Sequence, residues 1–278
     1  MPPEKQAEME MAFSDENAGF GLSNDKLRQI YFEKAQSGDP KWDRELVSLV
    51  LDRARRVISH PSRPKLRKVE NFLTNPFGEL ALEESIEESP LLAMPEDFLV
   101  EEVVDKPFSC VAMLDTSSSM NGEKHLLASI AVAVLLLEVK PPDASVVLFS
   151  SKAQSIKSLS TQESVADTVL KFLKARPRGF TNIRLGLEHG IKQYQMTASG
   201  KRKVGLLASD GRSTEGGDVL EIARQFDFLL VLHLHGAGSH IEASREMAEA
   251  GSGVCLEVED FSELPNRLYD AIRLLARI

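Results

Sequence analysis

Val111-Ala112-Met113-Leu114-Asp115-Thr116-Ser117-Ser118-Ser119-Met120 decides how the second half of this chain is read. An apolar run ends in an acid, and hydroxyls follow at the second and fourth positions after it. In extended backbone alternate side chains point the same way, so Asp115, Ser117 and Ser119 present oxygens toward one point. Such a set suits a small hard cation, and Mg²⁺ accepts few protein ligands while water or a partner fills the rest. The expectation is a metal-dependent binding module rather than a catalyst.

Outward from this run, apolar strand-like segments alternate with helical ones from about Lys106 onward, which predicts an α/β fold with a mostly parallel sheet. The expected strands are Ser109–Leu114, Ala144–Ser150, Ala153–Leu159, Lys203–Ala208, Phe228–His233 and Gly253–Val258. The expected helices are Glu123–Val139, Glu163–Lys174, Ile183–Met196, Asp218–Gln225, Ile241–Ala250 and Ser262–Arg277. Ala144–Ser150 and Ala153–Leu159 are too close for a helical crossover and should pair as an antiparallel hairpin at one edge. Leu126 to Leu137 is the most hydrophobic stretch, but it is shorter than the roughly 20 residues that span a bilayer, so it predicts a buried helix.

Ligands of a parallel α/β sheet bind where loops leave the carboxyl ends of the strands. Two further loops offer oxygens there. Gly179-Phe180-Thr181-Asn182-Ile183 leads into a helix, and Leu206-Leu207-Ala208-Ser209-Asp210-Gly211 ends a strand on an acid. Asp115, Ser117, Ser119, Thr181 and Asp210 together supply two carboxylates and three hydroxyls. Each has a plainer role when taken alone. Asp115 would cap the next helix, Thr181 would be the N-cap of the helix starting near Ile183, and Asp210-Gly211 would be a turn.

The three elements in this order resemble the von Willebrand factor A (VWA) domain family. Its metal-ion-dependent adhesion site is Asp-x-Ser-x-Ser, a distant Thr and a distant Asp-Gly, matched here by Asp115, Ser117, Ser119, Thr181 and Asp210. The resemblance spans about residues 106–278. It implies a Rossmann-like, six-stranded, mostly parallel sheet with one antiparallel edge strand and helices on both faces. It also implies that Ser117, Ser119 and one other motif group bind Mg²⁺ or Mn²⁺ directly, with some carboxylates acting through water. A partner protein's Asp or Glu would complete the coordination, with Met120, Phe180 and Arg212 on the surrounding rim. Gly78-Glu79-Leu80-Ala81-Leu82-Glu83-Glu84-Ser85-Ile86 resembles prokaryotic VWA proteins that accompany MoxR-type AAA+ ATPases, some of which assist metalloenzyme maturation. That likeness points to an AAA+ ATPase as partner.

Residues 1–105 are expected to form a mainly helical N-terminal region, with amphipathic helices at Ser23–Gln36 and Asp43–Ser59 and no periodicity in the first 20 residues. Seven Lys or Arg and no acid lie between Arg53 and Lys68, and eleven acids without Lys or Arg lie between Val69 and Asp105. Blocks of this kind either face each other or stay solvated, and one of them can serve as a docking surface. The basic 53–68 segment leaves nucleic-acid binding open as an alternative. It lacks interleaved aromatics for base stacking, and the net charge of −9 argues against general affinity for nucleic acid or anionic membrane. The N-terminus develops no apolar signal core, which predicts a cytoplasmic protein. Cys110 and Cys255 fall in apolar strands and read as buried small hydrophobes. His233 and His235 share a strand face without an evident third ligand. The chain has no Gly-x-x-x-x-Gly-Lys-Ser/Thr run, and Ser117 stands where a haloacid-dehalogenase-type phosphatase needs an acid. A metal-dependent hydrolase stays as the enzyme alternative, without an identifiable general base.

Overall fold

The Val-, Leu- and Ala-rich runs of the second half become strands buried on both faces, the environment that a parallel sheet provides. The computed structural model describes residues 26–34, 40–58, 66–74, 76, 79–104, 108–139, 143–196, 201–236 and 238–259, with 263, 267, 270 and 274. The expected Ser262–Arg277 helix and the first 20 residues lie outside the described residues. By packing, the described residues of 1–61 group with those of 108–272, and those of 62–107 and 273–278 form a second unit. A strand starts at Phe108, and the helices at residues 26–34 and 40–58 belong to the same unit as residues 108–272.

In the larger unit six strands lie in the order β6-β5-β4-β7-β8-β9. They are β4 (Phe108–Asp115), β5 (Ala144–Phe149), β6 (Ala153–Lys157), β7 (Arg202–Ser209), β8 (Phe228–Leu234) and β9 (Cys255–Val258). All pairs are parallel except the β5–β6 edge hairpin, which carries an irregularity between Val146 and Val147. The switch of chain direction lies at β4, whose neighbours β5 and β7 leave on opposite sides.

Alternation along the strands divides the core. Val111, Met113, Val147, Phe149, Leu207, Leu229 and Val231 pack with helices α5 (Ile183–Gln195), α6 (Leu220–Ala223) and α7 (Ile241–Ala250). The central strands send Cys110, Ala112, Leu114, Val146 and Leu148 to the opposite face, where they are buried too. Helix α3 (Glu123–Glu138) packs against β4 and β5, and α1 (Pro40–Ile58) and α4 (Val165–Lys174) pack on α3. Lying between a sheet and two helices, α3 is apolar almost all round its middle, as a buried helix must be. No helix among the described residues is long and apolar enough to cross a membrane.

Residues 26–34 are helical, with a π turn at Ile30–Lys34. They meet the start of α3: Arg28 pairs with Glu123, and the Phe32 ring lies over Gly122. The smaller unit holds a feature that sequence periodicity did not predict, a three-stranded antiparallel sheet in the order β1-β3-β2. Its strands are β1 (Leu66–Asn71), β2 (Glu79–Leu80) and β3 (Leu99–Val104), with helix α2 (Leu82–Glu88) between the last two. The register sets Lys68 opposite Glu102, so the end of the basic block and the end of the acidic block are strand neighbours. Both cysteines are free; Cys110 is fully buried and Cys255 partly so.

Candidate functional site

β4 ends on Asp115 and β7 on Ser209, adjacent strands whose carboxyl ends face the same way. Ser209 Oγ donates to Asp115 Oδ2 at 2.8 Å, which bolts the two strand ends together. Asp115 Oδ1 accepts the Ser117 N–H at 2.8 Å, an Asx turn that folds the chain back over the strand end. Ser117 and Ser119 then stand with their hydroxyl oxygens 3.1 Å apart. Asp115 and Ser117 are buried and Ser119 is exposed, so the group runs from the sheet end toward solvent.

Asp115 is not a helix cap. A 3₁₀ turn, Ser118–Met120, holds Ser119, the last residue of the motif, and Gly122 stands at the N-cap position of α3. Nor is Thr181 the cap of α5. Asn182 caps that helix, its side chain accepting the Leu185 N–H at 2.9 Å, which leaves the Thr181 hydroxyl without a capping duty. The Thr181 loop is tied to the motif by Arg178 N–H to Thr116 O at 2.8 Å and Ser118 N–H to Gly179 O at 3.2 Å. It is tied to the β7 loop by Thr214 N–H and Glu215 N–H, both donating to Thr181 O. These bonds bring the three loops into one cluster.

Asp210 is fully buried. Its Oδ1 accepts the Arg212 N–H at 3.2 Å, and its Oδ2 receives Lys124 Nζ at 3.0 Å. Gly211 permits the turn: its φ is +72°, and a Cβ there would collide with the His240 carbonyl oxygen and lie 2.5 Å from Ser244 Oγ. Burial pushes the Asp115 carboxyl up to about 6, against the hydrogen bonds from Ser117 and Ser209 and with help from the nearby Asp210 charge.

On the expected rim, Phe180 is 63% exposed and Arg212 is exposed. Met120 is fully buried, a correction to its place on the rim: the 3₁₀ turn rotates it inward, under the loop. His233 and His235 do share a face, their rings edge to face at 4.7 Å. Each has a protein partner, Ser244 Oγ at 2.8 Å for His233 and Glu257 at 3.3 Å for His235. Burial, with the neighbouring His235, lowers His233 to about 4. Among the described residues no group of three or more His, Cys, Asp or Glu is placed to hold a metal ion. The side-chain oxygens gathered at the sheet end are those of two acids and neighbouring hydroxyls.

Sequence reasoning missed Ser209 and Lys124. Ser209 adjoins Asp210 and could have been found by asking which neighbour of a strand-end acid points back along the sheet. Lys124 carries no such signal, since it lies 86 residues from its partner.

The comparison with protein-family models matches residues 110–270 to the von Willebrand factor type A domain. Among solved structures, the chain is similar to an aerotolerance-related membrane protein from Bacteroides fragilis bearing multiple mutations to serines. The identity is 15%, covering 62% of this chain and 100% of that one, with a TM-score of 0.51. It is similar to the pilus adhesin SpaC from Lactobacillus rhamnosus GG in its open conformation, at 15% identity over 63% of this chain and 30% of that one, TM-score 0.52. A von Willebrand factor type A protein from Catenulispora acidiphila matches at 15% identity over 64% and 44%, TM-score 0.50. At these identities the likeness is one of fold. The comparison with curated proteins found no match. With its six-stranded sheet in this order and a family model covering more than half its length, the chain belongs to the von Willebrand factor type A domain family.

Proposed function

We propose that the chain is a metal-dependent protein-interaction module. Asp115, Ser117, Ser119, Thr181 and Asp210 hold a small divalent ion, Mg²⁺ or Mn²⁺, and an Asp or Glu of a partner protein completes the coordination. The observation that carries this is the burial of two acids beside hydroxyls at one sheet end. The donor set fits such an ion: two carboxylates neutralise it, and neutral hydroxyls leave it attractive to a further anion. Burial disfavours the charged form of Asp115, and a cation nearby favours it, so ion and site stabilise each other. When bound, the ion supplies Lewis-acid attraction for a carboxylate. The chain's own residues position the donors through the Asx turns at Asp115 and Asp210, while Phe180 and Arg212 offer an apolar and a cationic contact to an acidic partner segment. In this reading the module binds a partner rather than catalysing a reaction.

The partner in this proposal is a MoxR-type AAA+ ATPase, and the setting is maturation of protein complexes or metalloenzymes in the cytoplasm. Support comes from the likeness of the Gly78–Ile86 stretch. There Leu82 and Ile86 are exposed on α2, with Glu83, Glu84 and Glu87 beside them in sequence. Nucleic-acid binding through the 53–68 segment finds less support. Arg53 is buried on the packed face of α1, and Arg67 and Lys68 belong to a strand of the other unit.

The test is affinity capture with the full chain and Mg²⁺, repeated with EDTA and with Asp115→Ala. A carboxylate-bearing partner should be retained with Mg²⁺ and lost in both controls, while Asp115→Ala keeps its fold by circular dichroism. Retention in both controls would move the interaction away from the sheet end.

A further inference from the structure

Lys124 holds a position at the site that the adhesion motif does not specify. It lies in the first turn of α3, and its Nζ reaches Asp210 Oδ2 at 3.0 Å. The carboxylate of this pair is fully buried and the lysine side chain only 14% exposed. The ammonium is seated by backbone from a third direction: a Cβ on Gly236, just past β8, would come within 2.5 Å of Lys124 Cε and 2.6 Å of Nζ. A glycine there is what lets the lysine lie against the loop. The residue before it, Glu123, is held by Arg28 of the 26–34 helix. The first turn of α3 is thus anchored outward by one long side chain and inward by the next.

We propose that Lys124 is a tethered counter-cation, which neutralises Asp210 in the metal-free protein and competes with a divalent ion for it. The proposal rests on the metal-binding reading of the five motif residues. Asp210 has two oxygens. Oδ1 is committed to the Arg212 N–H and Oδ2 to Lys124. An ion that engages Oδ2, directly or through water, meets an ammonium already there, and two cations at one buried carboxylate repel each other. Of the two negative charges at the sheet end, one is cancelled by the chain itself. The fold is thereby stable without the ion, and the ion is bound more weakly than the same acids and hydroxyls would bind it alone. Loading then requires the lysine to withdraw, which couples occupancy of the site to the start of α3.

The experiment is calorimetric titration of the EDTA-stripped full chain with Mn²⁺ and Mg²⁺, alongside thermal unfolding with and without metal. Lys124→Met keeps the aliphatic stem and removes the charge. Gly236→Ala keeps the charge and crowds the ammonium away from Asp210. Lys124→Met should bind Mn²⁺ at least about tenfold more tightly than the unmodified chain. It should also melt lower without metal and recover when metal is added. Gly236→Ala should shift affinity the same way by a smaller factor, and it serves alone if Lys124→Met does not fold. Unchanged or weaker binding in these variants, with Asp115→Ala abolishing binding in every background, would overturn the role of Lys124 and leave the metal site standing. If the unmodified chain and both variants bind neither ion, the metal site itself falls and this inference with it.

Discussion

The loop after β4 and the loop after β7 are built alike and charged differently. The first strand ends at a buried aspartate and the second is followed at once by one, and in each case one carboxylate oxygen accepts the N–H two residues on, Ser117 for Asp115 and Arg212 for Asp210. In each the other oxygen takes a side-chain donor from elsewhere in the chain. For Asp115 that donor is the neutral Ser209 hydroxyl at 2.8 Å, and for Asp210 it is the Lys124 ammonium at 3.0 Å. Turn chemistry therefore positions an acid, while the long-range partner decides whether its charge is compensated. Asp115 bears its burial with dipoles alone and is raised to about 6.

The largest way to break this pairing is at the residue after each acid. Gly211→Ala must place a Cβ against the His240 carbonyl oxygen with φ at +72°, and it should cost about 3 kcal/mol or more in urea unfolding. The counterpart in the first loop is Thr116, an ordinary residue whose hydroxyl donates to Phe149 O at 3.0 Å. Thr116→Ala should cost only about 1 kcal/mol. Equal losses would mean that the two turns are under the same constraint.

Neutralising the acids should have opposite signs. In EDTA at pH 7.5, Asp210→Asn leaves Lys124 without its counter-charge and should destabilise by about 2 kcal/mol. Asp115→Asn removes an uncompensated buried charge and should stabilise by about 2 kcal/mol. The pH dependence follows from the same shift. With its folded pKa above the unfolded value of about 4, Asp115 binds its proton more tightly in the native state. Its contribution favours folding at low pH and is lost as pH rises from about 4 through about 6. The advantage of Asp115→Asn should accordingly vanish below about pH 4 and level off above about pH 6 to 7. Stabilisation by both Asn variants would remove the distinction between the loops.

The smallest effect sharpens the third loop. Asn182→Ala should lower stability by about 1 kcal/mol through loss of the α5 cap. Thr181→Val should leave that helix intact and weaken Mn²⁺ binding in a calorimetric titration. A stability loss at Thr181 as large as that at Asn182 would return it to a structural part.

Much of this was legible from residue pattern. The strands at 108–115, 144–149 and 202–209 are built on mostly apolar, buried runs, and their ends fell within a residue or two of expectation because an acid, a Ser or a turn stops each. Helix α6 is shorter than expected, Leu220–Ala223 rather than Asp218–Gln225. Asp218 spends its carboxylate on the Leu220 N–H, and the chain turns again directly after Arg224. The β1–β3 pairing was hidden because Leu66–Asn71 and Leu99–Val104 carry charges without a clean alternation, and their partnership lies in a register some 30 residues apart. The acids and hydroxyls proposed as ligands lie at a strand's last residue or in loops that directly follow a strand or lead into a helix, where residue pattern alone can find them. Lys124 could not, because only the fold brings it to Asp210.

The hairpin edge of the larger sheet has a consequence of its own. β6 is five residues long, exposes Gln154 and Ser155, and meets β5 with a register irregularity. At its end Lys157 is buried, its ammonium donating to the carbonyls of Ala144 at 2.6 Å and Thr161 at 3.1 Å. A short, polar, bulged border with a lysine folded over its corner is a poor template for another strand. That flank is therefore unfavourable for strand addition by an extended chain, a second copy of this one included, and the sheet has no easy way to grow past β6.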